Sequence, residues 1–183
     1  MDFNKKEMPI QGFTGFGGGA TGASFRSSGI SSKYVDDVFN VNAFIGTGSN
    51  KSITNNINLA SQGGMVWMKN RDQNYNHWLF TSSMGIGNAM RTNNANDKWG
   101  FGSAGMVSFD NDGYTVGTHQ GVNKSGDHMV GWTFRNSKAF QQLTYEGTGS
   151  AQNIPHSLGS IPGMVIVKNI DSSSTNWSVY HRE

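Results

Sequence analysis

The chain has 183 residues, only 14% of them charged, with 25 glycines, 3 prolines, no cysteine and a formal charge of +2. The missing cysteines exclude disulfides, thiolate metal sites and cysteine nucleophiles together. No clustered basic stripe of the kind nucleic acid demands is visible, and the short hydrophobic clusters argue against a wholly disordered chain.

Residues 1–33 form a lead segment in which glycine alternates with phenylalanine from Gln11 to Ala20, followed by serine-rich sequence to Ser32. No periodicity is sustained, so no regular element is expected there. Phe13, Phe16 and Phe25 each forgo roughly 1.5–3 kcal/mol if left in water. Two readings stand: a disordered terminus, or an extended docking arm that orders on another subunit with Phe13, Phe16, Phe25 and Arg26 as its contacts. The uncharged run from Met8 to Phe25 is too polar for a membrane span, and no apolar signal core follows the N-terminus. A soluble protein with no membrane insertion is expected.

From Tyr34 the pattern changes. A short turn around Val35 and Val38 leads into strand-like runs at 41–45, 64–69, 78–80, 105–109, 114–116, 129–134, 140–145, 164–167 and 177–180. β-Branched and aromatic runs punctuated by Gly, Asn, Asp and Ser are strand signals. Asp112-Gly113 between two such runs signals a hairpin. The run Met65–Met68 is apolar on both faces and is placed at the centre of a sheet. Between His128 and Arg135, Val130, Trp132 and Phe134 share one face of a half-buried antiparallel strand. No helix of ten residues can be written anywhere. The expected fold is all-β, an antiparallel β-sandwich. The long polar stretch from Asn88 to Phe101 reads as a loop in which Trp99 packs against the sheet. Trp99 and Tyr75 are nonetheless the candidates for surface recognition.

The chain repeats itself. Gly46-Thr47-Gly48-Ser49 … Ile53 … Gly64-Met65-Val66-Trp67-Met68-Lys69-Asn70 … Trp78 recurs as Gly147-Thr148-Gly149-Ser150 … Ile154 … Gly163-Met164-Val165-Ile166-Val167-Lys168-Asn169 … Trp177. The second copy carries a loop two residues shorter. A repeat at this scale implies tandem units. The expected organisation is an arm over 1–33, a first sandwich repeat over 34–143 and a partial second repeat over 144–183. The second copy holds about three strands, too few to bury both faces of a sheet unaided. The expectation is therefore that the natural protein continues or that other chains finish the unit.

Several motifs in the same order carry a resemblance: Phe44-x-Gly-Thr-Gly-Ser, Asn56-Ile57-Asn58-Leu59, Gly64-Met65-Val66-Trp67-Met68-Lys69-Asn70-Arg71, Gly131-Trp132-Thr133-Phe134-Arg135 and His156-Ser157-Leu158-Gly159-x-x-Pro162-Gly163. Together with the glycine-rich lead they resemble an uncharacterised repeat domain of virion structural proteins in tailed bacteriophages. The resemblance covers nearly the whole chain and implies a virion location. The role it implies is non-enzymatic: the particle-attached N-terminal part of a tail fibre or tail appendage, with capsid decoration or a head fibre as runner-up. The partners implied are other tail or capsid proteins; the glycine-phenylalanine arm and the incomplete C-terminal unit, both wanting partners, further predict a homo-oligomer, a trimer or a ring-attached copy set.

Catalytic chemistry finds little purchase. The five histidines are scattered with no pair at metal-ligand spacing. Asp110-Asn111-Asp112-Gly113 fails as a calcium loop because its glycine comes too early and Gly121 stands where the closing Glu belongs. No metal, cofactor or catalytic residue is expected. Two alternatives from other classes are a carbohydrate-binding module, in which exposed aromatics such as Trp67, Trp78, Trp99 or Tyr75 stack on sugar rings, and a depolymerase whose active part lies beyond this chain. Trp67 becomes Ile166 in the second copy while Trp78 and Trp177 coincide, which favours packing over a sugar platform.

Overall fold

A computed structural model describes residues 35–182. A 3-10 turn at Val35–Asp37 precedes β1 (Phe39–Ile45), β2 (Lys51–Thr54), α1 (Leu59–Gln62), β3 (Gly64–Asn70), β4 (Trp78–Thr81) and β5 (Asn88–Arg91). Then follow β6 (Trp99–Gly100), β7 (Met106–Phe109), β8 (Gly113–Val116), α2 (Gln120–Asn123), β9 (His128–Arg135), β10 (Met164–Val167) and β11 (Ser178–His181). The fold is all-β and antiparallel, as the strand signals predict.

β3 shows why these runs become strands. Its side chains alternate between buried and half-buried from Gly64 to Asn70, so one face seals the core while the other packs within the sheet. It lies between β9 and β4 in a six-stranded sheet ordered β1-β9-β3-β4-β5-β6, the central place that its apolar run predicts. Opposite stands a three-stranded sheet, β2-β8-β7. The two sheets enclose Val66, Met68, Trp78 and Phe80 from one side and Ile53, Met106, Tyr114 and Val116 from the other. Asn55 Nδ2 donates to Thr133 Oγ1 at 2.9 Å across the layers. This is a sandwich core.

On β9 the buried residues are Met129, Gly131 and Thr133, while Val130, Trp132 and Phe134 are only half-covered. The physical reason is Tyr114. A Cβ at Gly131 would come within 2.2 Å of the Tyr114 hydroxyl, so the tyrosine occupies the space a larger residue would claim. The half-covered aromatics form a ladder on the other face, with ring centroids 5.5 Å apart for Trp67–Trp132 and 4.7 Å for Phe39–Phe134.

The strand expected over 140–145 does not form. Both edges of β9 are already taken by β1 and β3, and side chains anchor the segment instead. Gln142 Nε2 donates to Ser82 Oγ at 2.8 Å, and Phe140 stacks on Phe134 at 5.3 Å. Conversely, β2, β5 and β6 arise where the sequence signals no strand. The stretch 88–101 is thus two short strands and a turn.

The repeated phrase builds the same local geometry twice. Thr47 Oγ1 donates to the Ser49 carbonyl at 2.9 Å and Thr148 Oγ1 to that of Ser150 at 3.3 Å. Between them Gly48 and Gly149 both sit in the left-handed region, at φ +71° and +74°, where glycine costs nothing. After β3, Asn70 Oδ1 accepts from the Asp72 backbone N–H at 3.0 Å, and after β10 Asn169 Oδ1 accepts from that of Asp171 at 2.9 Å. Lys69 and Lys168 each fold back to donate to the carbonyl of the following asparagine. β10 and β11 pair as a separate two-stranded sheet.

Candidate functional site

The first-copy turn after β3 fixes the site. Asn70 is fully buried, its amide donating to Asp127 Oδ2 at 2.8 Å and its oxygen accepting from the Asp72 and Gln73 backbone N–H groups at 3.0 Å. Lys69 Nζ adds a bond to the Gln73 carbonyl at 2.8 Å. The loop so held carries Tyr75 and Asn76 to the mouth of a hollow of about 210 Å3 lined by Tyr75, Asn76, Trp78, Arg91, Trp99 and His119. β4, β5 and β6, neighbours in the sheet, supply Trp78, Arg91 and Trp99. His119, which caps α2, comes from the segment after β8.

The rings are held rigidly. Tyr75 Oη donates to Gln120 Oε1 at 2.5 Å. Trp78 meets Phe101 edge-on at 4.6 Å and His119 at 5.9 Å, and Phe101 meets His119 at 4.6 Å. Such edge-to-face contacts lock ring orientation. The Arg91 guanidinium lies 5.0 Å from the Trp99 ring centre and 5.9 Å from that of Trp78. Its side chain is 12% exposed and pairs with the half-exposed Asp97 at 3.9 Å, and its Nε has no hydrogen-bond partner among the described residues.

His119 Nδ1 accepts from the Gly121 backbone N–H at 3.0 Å. That bond places the neutral ring's proton on Nε2. Burial pushes the imidazole below its ordinary range, so the neutral form prevails near neutral pH. His77, just outside the hollow, is likewise lowered by burial and by the Lys69 charge. The arrangement offers largely apolar, aromatic surface with Asn76 and His119 in its lining and the Arg91 cation beside its indoles. Such a surface suits binding.

Both recognition candidates meet here. The expectation that Trp99 tucks against the sheet is not met: Trp99 is 47% exposed, held by the cation beside it instead. Tyr75 lines the same hollow. Phe13, Phe16, Phe25 and Arg26 lie outside the described residues. Arg91, Asn76 and His119 carry no sequence signal, because nothing local in the chain shows that β4, β5, β6 and the start of α2 converge. The sequence reading already had Trp78 as a shared core position, and it is 4% exposed.

Beside the hollow the second copy touches the first. Trp177 Nε1 donates to the carbonyls of Arg91 at 3.4 Å and Asn94 at 3.3 Å. The Lys98 backbone N–H donates to the Ile170 carbonyl at 2.9 Å, and its ammonium pairs with Asp171. Elsewhere, among the described residues, no three acidic, histidine or cysteine side chains could hold a metal ion together. No helix among them is long and apolar enough to cross a membrane.

A family model described as a domain of unknown function, DUF7483, matches residues 31–183. No curated protein and no solved structure matches the chain.

Proposed function

The chain belongs to the DUF7483 family of domains of unknown function, and for a chain of that family we propose, on the resemblance of its motifs, that it is a non-enzymatic structural protein of a tailed-bacteriophage virion. In this reading it forms the particle-attached N-terminal part of a tail fibre or tail appendage, and its partners are other virion proteins and further copies of itself. The observation that supports the reading most is the duplicated hairpin. The same strand, asparagine turn and tryptophan occur at 64–78 and 163–177, and the second set docks through Trp177 and Lys98 on the first. Units that share their contacts with neighbours in this way build elongated arrays. The second hairpin leaves Met164, Ile166, Val179 and Tyr180 between 52% and 62% exposed, apolar area of the kind that marks protein contact sites. The resemblance of the motifs and of the glycine-phenylalanine lead to virion proteins supplies the particle.

The test is density-gradient sedimentation of particles from a lysate containing the chain, followed by immunogold labelling with an antibody raised against it. The expected result is co-sedimentation with the particles and label at the tail. Label over the head moves the assignment to capsid decoration, and a chain that stays in the soluble fraction contradicts the proposal.

A further inference from the structure

We propose that the hollow bounded by Tyr75, Trp78, Arg91, Trp99 and His119 is a carbohydrate subsite that takes one pyranose ring of a glycan stacked on Trp99. The inference does not rest on the virion reading, since it stands on the hollow alone.

Size sets the first limit. Sites for drug-sized ligands occupy roughly 300–1,000 Å3, whereas this hollow holds about 210 Å3, room for a single ring. A pyranose presents a face of C–H groups and an edge of hydroxyls, so it needs a flat aromatic floor and a small number of polar groups at the rim. Trp99, at 47% exposed, is the floor, through the indole surface that Arg91 leaves open.

The rim groups are also placed. Asn93 Nδ2 donates to Asn76 Oδ1 at 3.0 Å, which occupies the Asn76 oxygen and leaves its amide N–H groups as the donors this side chain brings to the lining. His119 Nε2–H is a second donor, its tautomer fixed by the Gly121 N–H on Nδ1. Because Tyr75 is tied to Gln120 and Trp78 meets both Phe101 and His119 edge-on, little conformational freedom remains for a ligand to remove.

Charge decides between ligands that like aromatic walls. A bare aromatic cage favours quaternary ammonium groups. Here the Arg91 cation already lies against both indoles, at 5.0 and 5.9 Å, and repels a second cation. Neutral and carboxylate-bearing sugars are admitted. Cationic ones are not.

The experiment is an NMR titration of the full chain, following the indole Nε1–H resonances. The probes are methyl β-glucopyranoside, methyl β-galactopyranoside and glucuronate, with choline as the cationic control. At least one sugar is expected to shift the Trp99 resonance saturably, with a Kd on the order of 1 mM as befits a single ring. Trp99→Ala should weaken binding at least tenfold and Trp99→Phe should retain part of it. Trp99 is exposed, so the Ala variant should fold, and unchanged resonances of the Tyr114 core check that it does. Failure of all three sugars to give a saturable shift overturns the proposal. So does binding of choline, or undiminished binding by a folded Trp99→Ala chain.

Discussion

Tyr114 is fully buried, and its hydroxyl ends against Gly131 without a hydrogen-bond partner among the described residues. A buried hydroxyl left unpaired costs about 1–3 kcal/mol, so Tyr114→Phe should be neutral or stabilising by up to about 1 kcal/mol. Gly131→Ala drives a methyl group into that oxygen and should destabilise by roughly 1–3 kcal/mol, a loss that Tyr114→Phe partly restores. Urea unfolding of the two single variants and the double variant measures all three effects. Burial also raises the phenol above its ordinary value of 10.0. The unfolded chain releases this proton near pH 10 while the folded chain keeps it, so stability falls as pH rises beyond about 10. In Tyr114→Phe that alkaline loss should shrink, which denaturation midpoints between pH 8 and 11 will show.

The two hairpins differ in one respect. In the first, Met68 pairs with Trp78; in the second, Val167 pairs with Ser178, one position past the matching Trp177. A one-residue slip turns a strand over. β3 and β4 are held in register by β9 and β5, whereas among the described residues β10 and β11 have only each other. Trp177 accordingly leaves the ladder and anchors to the Arg91 and Asn94 carbonyls. Trp177→Ala should therefore raise hydrogen-exchange rates of the β10–β11 amides while those of β3 and β9 stay unchanged. The Lys98–Asp171 pair, 40% and 76% exposed, contributes little by comparison.

The same scale shows what a sequence can and cannot display. β3 was legible from an apolar run that fills both faces and β9 from the alternation of its faces, in strands of seven and eight residues. β2 has a single buried apolar residue, Ile53, and β5 reads as Asn-Ala-Met-Arg, so each becomes a strand only through its partner. The run 140–145 has strand-like composition but no free edge to join. Pairing is a tertiary fact, and composition records it only where one face is continuously apolar.

For the molecule as a whole, the antiparallel sandwich followed from strand count and turn chemistry, and two of the hollow's aromatics were visible as exposed-type residues in polar stretches. Arg91 and His119 were not, since their approach to Trp99 and Trp78 depends on the order of β4, β5 and β6 and on where the segment after β8 returns to the six-stranded sheet. Along the outer face, Val41 and Ile45 are 48% and 57% exposed beside the Trp67–Trp132 ladder, and the β10–β11 hairpin adds further apolar surface. Monomers seldom leave such area uncovered, and closed symmetric assembly is the usual remedy. The trimer expected from the sequence belongs to that reasoning. The most direct measurement is a cryo-electron microscopy map of intact particles carrying a tag on this chain. The account predicts tagged density for sandwich units in symmetry-related copies at the tail. Particles whose maps carry no such density, with the tag recovered only as free monomer, would contradict it.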